Sequence, residues 1–293
     1  MCGRVHEPWT ALVAIVSHYM LVAHEPAGMG ERTTVAYVAR SAVRADVLRA
    51  LASEPQTART LVATLSISRS GAYKALRELA ECDLVAQPDG EEWQVTGPGR
   101  LVADELERHG WVDALLGDRE YWLSHDLSGL PGRFRRQLPS LRNAELLRNP
   151  ANYPRYLEGY WLERMPEAER LWVGSRVVHE PYADAMAEQA DADVETRLVV
   201  HGPLLEQFLE REGIDHATFS ENIPDTVEAR VCDLPCSFML TEDLFTLSLP
   251  DHEGEYDPDS VLVGRDDAAL RFGEDFATFY WERATSVEAY LTG

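Results

Sequence analysis

The feature that most restricts the fold is a series of three short amphipathic segments between residues 41 and 82. Each segment follows a hydroxyl residue that can cap a helix, namely Ser41, Thr57 or Ser68. Ser53-Glu54-Pro55 ends the first segment, and the tripeptide Ser66-Ile67-Ser68 separates the second from the third. Two short helices joined by a tight turn are typical of a helix-turn-helix. The sequence therefore predicts helices from Ser41 to about Ala52, after Thr57, and from Arg69 to about Cys82.

The third predicted helix has two chemically different sides. Ala72, Leu76 and Leu79 recur at helical spacing and form a buried stripe. The opposite side carries donors, because Arg and Lys reach phosphates or guanine, and hydroxyls bond phosphates or base edges. The residues predicted to contact DNA are Ser68, Arg69, Ser70, Tyr73, Lys74 and Arg77.

A hairpin is predicted directly after this helix. Residues 84–87 and 92–95 read as strands around Pro88-Asp89-Gly90-Glu91, which contains an Asp-Gly turn signal. A helix-turn-helix followed by a hairpin is a winged helix. Because Asp89, Glu91 and Glu92 lie in this wing, we expect phosphate to repel its tip and the third helix to dominate DNA contact.

Charge is divided unevenly along the chain. Residues 32–77 hold eight basic and two acidic residues, a formal charge of +6, which leaves −29 for the rest of a chain of net charge −23. A basic stretch on an acidic protein favours a polyanionic partner, because neutralised phosphates release counter-ions. Local salt bridges are the alternative, but only Asp46 and Glu54 supply carboxylates within the stretch.

The acidic residues of the whole chain predict an adaptation to salt. Lys74 is the single lysine among 27 basic residues. Such a surface is typical of halophilic proteins, since molar salt screens carboxylate repulsion; an ordinary acidic protein is the alternative. Four cysteines in 293 residues make no disulfide framework, so we expect a cytoplasmic protein.

The first 28 residues allow three interpretations. Residues 8–23 are nearly all apolar, but these 16 residues are fewer than the ~20 that span a membrane. An upstream start that is not the natural one is favoured, with Met29 as an ordinary start. An extra packed helix and an export or membrane signal are the alternatives, and we expect no membrane association.

A helix is predicted from Pro98 to about Leu116, within a linker at 97–119. Its apolar residues are expected largely on one side: Leu101, Val102, Leu106, Val112, Leu115 and Leu116. This side either pairs two subunits or packs against the rest of the chain. A homodimer would match a palindromic operator.

The remainder predicts an α/β sandwich with a mixed sheet. Predicted strands cover 171–174, 196–200, 226–231, 237–241, 244–249 and 260–263, and predicted helices cover 182–189, 203–213 and 266–283. The fold class is thus a two-domain α+β or α/β protein. Its predicted parts are an extension at 1–28, a winged helix-turn-helix at 29–96, the linker helix at 97–119 and a regulatory domain at 120–293.

Two stretches resemble known families. Residues 40–96, including LVATLSISRSGAYKALRELAECDLV, resemble winged-helix regulators of the ArsR and MarR kind. Ser66 stands where that turn commonly has glycine, and Gly71 lies inside the third helix. Residues 120–285 resemble the C-terminal domain of archaeal regulators related to the methanogenesis regulatory protein, through SHDLSGLP, LTEDLFTLSLP and ALRFGEDFATFYWERA. Phe272-Gly273 replaces their usual Trp-Gly, and the resemblance implies regulation with ligand sensing.

Enzyme chemistry finds little support in the sequence. A phospholipase D-like phosphodiesterase needs a lysine two residues after its histidine, and Lys74 lies elsewhere. His125-Asp126 favours a capping or turn role over acid–base catalysis. Cys232 and Cys236 lack a second ligand pair for zinc, and small buried thiols are favoured. We expect no enzyme, cofactor or metal.

One pocket hypothesis remains beside a packing interpretation, with Arg176, His179 and Tyr182 near the strand end at Gly174-Ser175. The sequence as a whole predicts a homodimeric, sequence-specific transcriptional regulator that binds double-stranded DNA. Its C-terminal domain is expected either to sense an unknown small-molecule effector or to mediate assembly. The alternative is a winged-helix module that binds another protein.

Overall fold

The computed structural model divides the chain into two compact units, the first ending at Leu106 and the second beginning at Glu107. The residues that the structure describes are 34–165, 168–177, 194–215, 219 and 226–292. The predictions for the first 28 residues, and for a helix over 182–189, lie outside these residues. Across the described ranges, every helix is too short or too polar to cross a lipid bilayer.

The first unit is a winged helix. Its elements are α1 (Thr34–Ala39), α2 (Ala42–Ser53), α3 (Ala58–Thr64), α4 (Arg69–Ala80), β1 (Val85–Ala86), β2 (Gln94–Val95) and the first part of α5 (Gly97–Leu115). The three predicted N-caps are confirmed, because Ser41, Thr57 and Ser68 each accept a hydrogen bond from the backbone N–H three residues on. Strands β1 and β2 are antiparallel, and Gln56 pairs with Trp93 beside them.

The core of the first unit is close-packed and aliphatic. Leu48, Leu61, Leu76 and Leu79 are fully buried in it. Gly99 at the start of α5 lies against the strand before it, where a Cβ atom would be 1.9 Å from the Leu84 carbonyl oxygen. Only glycine allows this close approach, so residue 99 fixes how α5 leaves the wing.

The second unit contains an eight-stranded mixed sheet. Its helices are α6 (Arg119–Ser124), α7 (Gly132–Gln137), a 3₁₀ turn (Leu138–Leu141), α8 (Tyr156–Arg164), α9 (Gly202–Glu212), α10 (Asp267–Trp281) and α11 (Val287–Thr292). Its strands are β3 (Glu145–Arg148), β4 (Arg170–Ser175), β5 (Glu195–His201), β6 (Val227–Cys232), β7 (Ser237–Leu240), β8 (Phe245–Ser248), β9 (Ser260–Gly264) and β10 (Thr285–Ser286).

The strand order is β10-β6-β5-β4-β7-β8-β9-β3. Strands β4, β5 and β6 are parallel to one another, whereas the other neighbours are antiparallel. The predicted mixed sheet is therefore confirmed. Edge strand β3 was not predicted, since its four residues show no strong alternation of apolar and polar types.

The two faces of the sheet are packed differently. Helix α10 covers the face that we call the aromatic face, where Phe134, Phe238, Phe245 and Phe276 contact one another. On the opposite face, called the cavity face, α8 packs with Leu157 over β9, and α9 packs with Leu205 near β6. Helices α8 and α9 therefore lie over different strands of the cavity face.

The apolar residues predicted for one side of α5 are divided between core and solvent. Val102 and Leu106 are buried, but Leu101 is 73% exposed and Leu116 is 43% exposed. Adjacent positions on an α-helix lie about 100° apart, so Leu101 and Val102 face different directions. The apolar side of this helix is therefore only partly buried, and its pairing with a second subunit stays a prediction.

Candidate nucleic-acid interface

Helix α4 is anchored by one face. Ala72, Ala75, Leu76 and Leu79 are buried in the core of the first unit. The spacing of these residues leaves the opposite side of a 12-residue helix in solvent. This side is the predicted recognition surface.

The structure exposes all six residues that were predicted to contact DNA. They are Ser68, Arg69, Ser70, Tyr73, Lys74 and Arg77. Tyr73 is 50% exposed, and the side chains of Lys74 and Arg77 are 68% and 70% exposed. We call this set the recognition face. It combines three cationic groups with hydroxyl donors on a surface of the size that enters a major groove.

The N-terminal end of the recognition face is organised by its cap. The Ser68 hydroxyl accepts a hydrogen bond from the Gly71 N–H at 3.1 Å and lies 3.3 Å from the Ser70 hydroxyl. A Cβ atom at residue 71 would be 3.0 Å from the Ser68 Oγ atom. Gly71, which looks unfavourable inside a helix, therefore leaves room for the capping side chain.

Two carboxylates reduce the positive charge of the recognition face. Lys74 Nζ lies 3.8 Å from Glu78 Oε1, and Arg77 Nε lies 3.7 Å from Glu81 Oε1. Both pairs have i,i+4 spacing, and exposed pairs of this kind contribute only about 0.3–0.5 kcal/mol. A phosphate can therefore compete for either cation.

Two of the basic residues counted in the sequence are used inside the unit. The Arg44 guanidinium donates to Glu78 at 3.0 Å and to the Tyr37 carbonyl oxygen at 2.7 Å. Arg49 donates to Asp46 at 3.1 Å and to the Leu106 carbonyl oxygen at 3.3 Å. The salt-bridge interpretation thus holds for these two, and Arg44 helps to fix α4 against α1 and α2.

The wing differs sharply from α4 in charge. Asp89, Glu91 and Glu92 are exposed at its tip, where Gly90 adopts a φ of +76°. Three carboxylates in this position repel a phosphate backbone. The recognition face and not the wing tip is the part of the first unit suited to DNA.

Of the three predicted pocket residues in the second unit, the structure describes only Arg176. Arg176 donates from its guanidinium to the Pro235 carbonyl oxygen at 3.0 Å and to that of Gly254 at 3.4 Å. These contacts join two loops. His179 and Tyr182 lie outside the described residues, so a ligand role for the three stays a prediction.

His125 and Asp126 do not act on each other. Asp126 accepts from the Ser128 N–H at 2.9 Å, which is the predicted turn role. Buried His125 instead places Nε2 3.0 Å from Asp257 and Nδ1 2.7 Å from the Tyr121 carbonyl oxygen. Asp257 is distant in sequence, and no local pattern indicated this pairing.

Cys232 and Cys236 are both at least partly removed from solvent. Cys236 is buried and Cys232 is half-buried, and burial raises the pKa of both thiols. Thiols with a raised pKa are poor nucleophiles and poor metal ligands at neutral pH. Among the described residues, His, Cys, Asp and Glu nowhere form a group of three or more that could hold a metal ion.

Comparisons with known proteins agree with this organisation. Residues 32–114 match the family described as HVO_A0261 N-terminal domain, and residues 157–283 match the family described as methanogenesis regulatory protein FilR1, middle domain. The chain is 22% identical over 281 residues to the methanogenesis regulatory protein FilR1 of Methanothrix harundinacea. This alignment covers 89% of the chain and 60% of that relative.

Two solved structures give further matches. An archaeal chromatin protein, TrmBL2, whose structure is described as showing a novel mode of DNA binding, is 16% identical, with 84% of this chain and 94% of that chain covered and a TM-score of 0.36. A MarR family protein of Mycobacterium tuberculosis is 20% identical, with 39% and 88% covered and a TM-score of 0.25. The winged helix and the mixed sheet coincide with the two family matches, so the chain is similar to archaeal winged helix-turn-helix regulators that carry a domain of the FilR1 type.

Proposed function

We propose that this protein is a transcriptional regulator that binds specific double-stranded DNA sequences through α4. The main support for the proposal is the recognition face. Its predicted donors are exposed, while the other side of α4 is buried in the core of the first unit. Lys74 and Arg77 would contact guanine edges or phosphates, and Ser70 and Tyr73 would bond phosphates or bases. The relative FilR1 is named as a regulatory protein, which supports this role.

The proposed active form is a homodimer. Leu101 and Val112 of α5, and Leu116 directly after it, are exposed apolar side chains in a single copy of the chain. Burying them against a second copy would remove apolar surface from water. Two copies would present two recognition faces to a palindromic operator.

The second unit is proposed to sense a small molecule or to mediate assembly. Its sheet is distant in sequence from α4, and its family is named after a regulatory protein. A cytoplasmic location follows from DNA as the partner. Catalysis is not part of the proposal.

Charge reversal on α4 tests the DNA proposal. Double-stranded fragments are first selected from a random pool by the wild-type protein, and binding is then measured by fluorescence anisotropy at one fixed salt concentration. We expect Arg77→Glu to lower affinity by at least tenfold, because a favourable contact of about 1–3 kcal/mol is lost and a repulsion is added.

Arg211→Glu is the matched control, since it reverses an exposed charge on α9 in the second unit. It changes the net charge of the chain equally and should leave the affinity within twofold. Equal DNA binding by Arg77→Glu and the wild type, with unchanged circular dichroism, would show that α4 is not the contact surface.

A winged helix that binds a protein is the competing proposal, and the carboxylates of Glu78, Glu81 and the wing favour it. In that case the wild-type chain would enrich no sequence from the pool. Enrichment of one sequence, with affinity that falls as salt rises, would reject it.

A further inference from the structure

The cavity face of the sheet carries a partly open space that the described residues do not fill. The cavity measures about 280 Å³ and lies between α8 and α9, above the central strands β4, β5, β7 and β8. Val173, Leu198 and Met239 form part of its floor, and Trp161 and Phe208 contribute from the two helices. A cavity of about 150 Å³ with apolar walls holds a benzene molecule, so this one has room for a ligand roughly twice that size.

The part of the wall that the structure describes is uncharged. All the described residues that line the cavity are apolar or carry a hydroxyl group. An ionised ligand would lose its hydration without gaining a counter-charge, which is strongly unfavourable. The chemistry of the walls therefore selects an uncharged molecule that is mostly apolar.

One part of the wall supplies hydrogen-bond donors. Ser237 and Ser248 lie directly opposite each other on β7 and β8, and both line the cavity together with Tyr256. The Ser237 hydroxyl accepts from the Arg176 N–H at 3.0 Å, so its own hydrogen remains available. Neither Ser248 nor Tyr256 makes a side-chain hydrogen bond within the described part of the chain.

The tyrosine is suited to donation. Burial raises the pKa of Tyr256 to about 12, so its hydroxyl keeps its proton at neutral pH. Three hydroxyl groups beside an apolar chamber match one oxygen acceptor on an otherwise apolar molecule. The backbone N–H of Arg176 donates to the Ser237 hydroxyl and so helps to orient it, whereas the Arg176 guanidinium donates to the Pro235 carbonyl oxygen.

We infer that the cavity binds an uncharged, mainly apolar small molecule with a single carbonyl, ether or hydroxyl oxygen, held at Ser237, Ser248 and Tyr256. The inference gives a chemical class to the effector proposed above and rests on that proposal only for its regulatory meaning. Binding itself is a property of the second unit, and it can be measured without DNA.

The test uses the full-length chain and the neutral fluorescent probe N-phenyl-1-naphthylamine. Fluorescence titration measures binding of the probe, and 1-decanol and decanoate are then compared as competitors at one salt concentration and pH 7.5. We expect decanol to displace the probe at a concentration at least tenfold lower than decanoate. Displacement by decanoate at an equal or lower concentration would overturn the inference, because it would require a cation in the site.

Two variants locate the site. Leu198→Trp fills the floor and should weaken probe binding at least tenfold. The double variant Ser237→Ala/Ser248→Ala should keep probe binding but raise the decanol concentration needed for displacement about fivefold, as expected for a lost hydrogen bond. Ser286→Ala, on edge strand β10 outside the cavity lining, is the matched control and should resemble the wild type.

The results separate this inference from the DNA proposal. Near-ultraviolet circular dichroism reports whether Leu198→Trp is folded, and the serine variant gives a second result if it is not. Wild-type probe affinity in folded Leu198→Trp, or unchanged decanol displacement in the serine variant, would place the ligand elsewhere and overturn the inference. Loss of DNA binding in Arg77→Glu with intact probe binding would leave it standing.

Discussion

The two units differ in where they offer groups for binding. In the first unit, the core is filled and the donors of Ser70, Tyr73 and Arg77 point into solvent. In the second unit, hydroxyl groups such as those of Ser248 and Tyr256 line a partly open cavity. Binding to the first unit should therefore be altered without loss of stability, whereas binding to the second depends on packing.

The largest effect is expected on the aromatic face of the second unit, where a smaller side chain should leave a destabilising cavity. Phe276 is fully buried and its ring lies 4.7 Å from that of Phe134 and 5.3 Å from that of Phe238. Phe276→Ala should lower the free energy of unfolding by about 3–5 kcal/mol, measured by urea denaturation. Phe279→Ala, at a half-buried position of the same helix, is the control and should cost less. Equal losses would mean that complete burial in the aromatic face adds nothing to the cost of removing a ring.

The first unit should also be sensitive to substitution at the start of α5, although the expected loss is smaller. Gly99→Ala places a Cβ atom on the Leu84 carbonyl, which is backbone and cannot turn aside. We expect a loss of about 1–3 kcal/mol in the free energy of unfolding, as for other overpacked sites. Gly110→Ala in the same helix meets nothing within 4 Å and should instead stabilise the protein by up to about 1 kcal/mol. A harmless Gly99→Ala would show that the wing can shift relative to α5.

A substitution in the turn of the helix-turn-helix should increase the stability of the protein, because Ser66 is exposed and its backbone is strained. Ser66 has a φ of +53°, a left-handed conformation that costs an L-residue about 1–2 kcal/mol. Ser66→Gly should raise the free energy of unfolding by about 0.5–1 kcal/mol, since glycine also loses more chain entropy. Asp83→Gly, at a φ of +56°, is the comparison and should gain less, because aspartate tolerates this conformation.

Local features of the sequence predicted the first unit well. The caps at Ser41, Thr57 and Ser68 and the two sides of α4 depend on residues at most four positions apart, and such patterns are visible in one chain. The ion pairs of Lys74 and Arg77 follow the same rule, but the charge count ended at residue 77 and missed Glu78 and Glu81.

Long-range contacts account for what the sequence did not predict. The cavity is assembled from strands β4, β5, β7 and β8 and two helices, so neither its volume nor the uncharged lining that the structure describes belongs to any single motif. His125 meets Asp257 across 132 positions, and β3 pairs with β9 over a similar separation. Such contacts depend on the packed sheet.

Mild acid should distinguish the units, because residues 34–106 contain no histidine. In the second unit, burial lowers the pKa of His201 from its ordinary 6.5, and Arg176 acts in the same direction. Asp233 opposes them, but its carboxylate is almost fully exposed and therefore screened. The Leu234 N–H lies 3.3 Å from Nδ1 of His201, and a protonated ring could not accept that bond.

The sign of the effect follows from the lowered pKa. The unfolded chain takes up the proton more readily than the folded one, so stability is complete above about pH 6.5 and falls as the pH drops below it. We expect the difference in unfolding free energy between the wild type and His201→Gln to shrink from pH 7.5 to pH 5.5, measured by urea denaturation at each pH. A difference that stays constant over this range would mean that His201 takes up its proton equally in both states, and acid sensitivity would then no longer separate the second unit from the first.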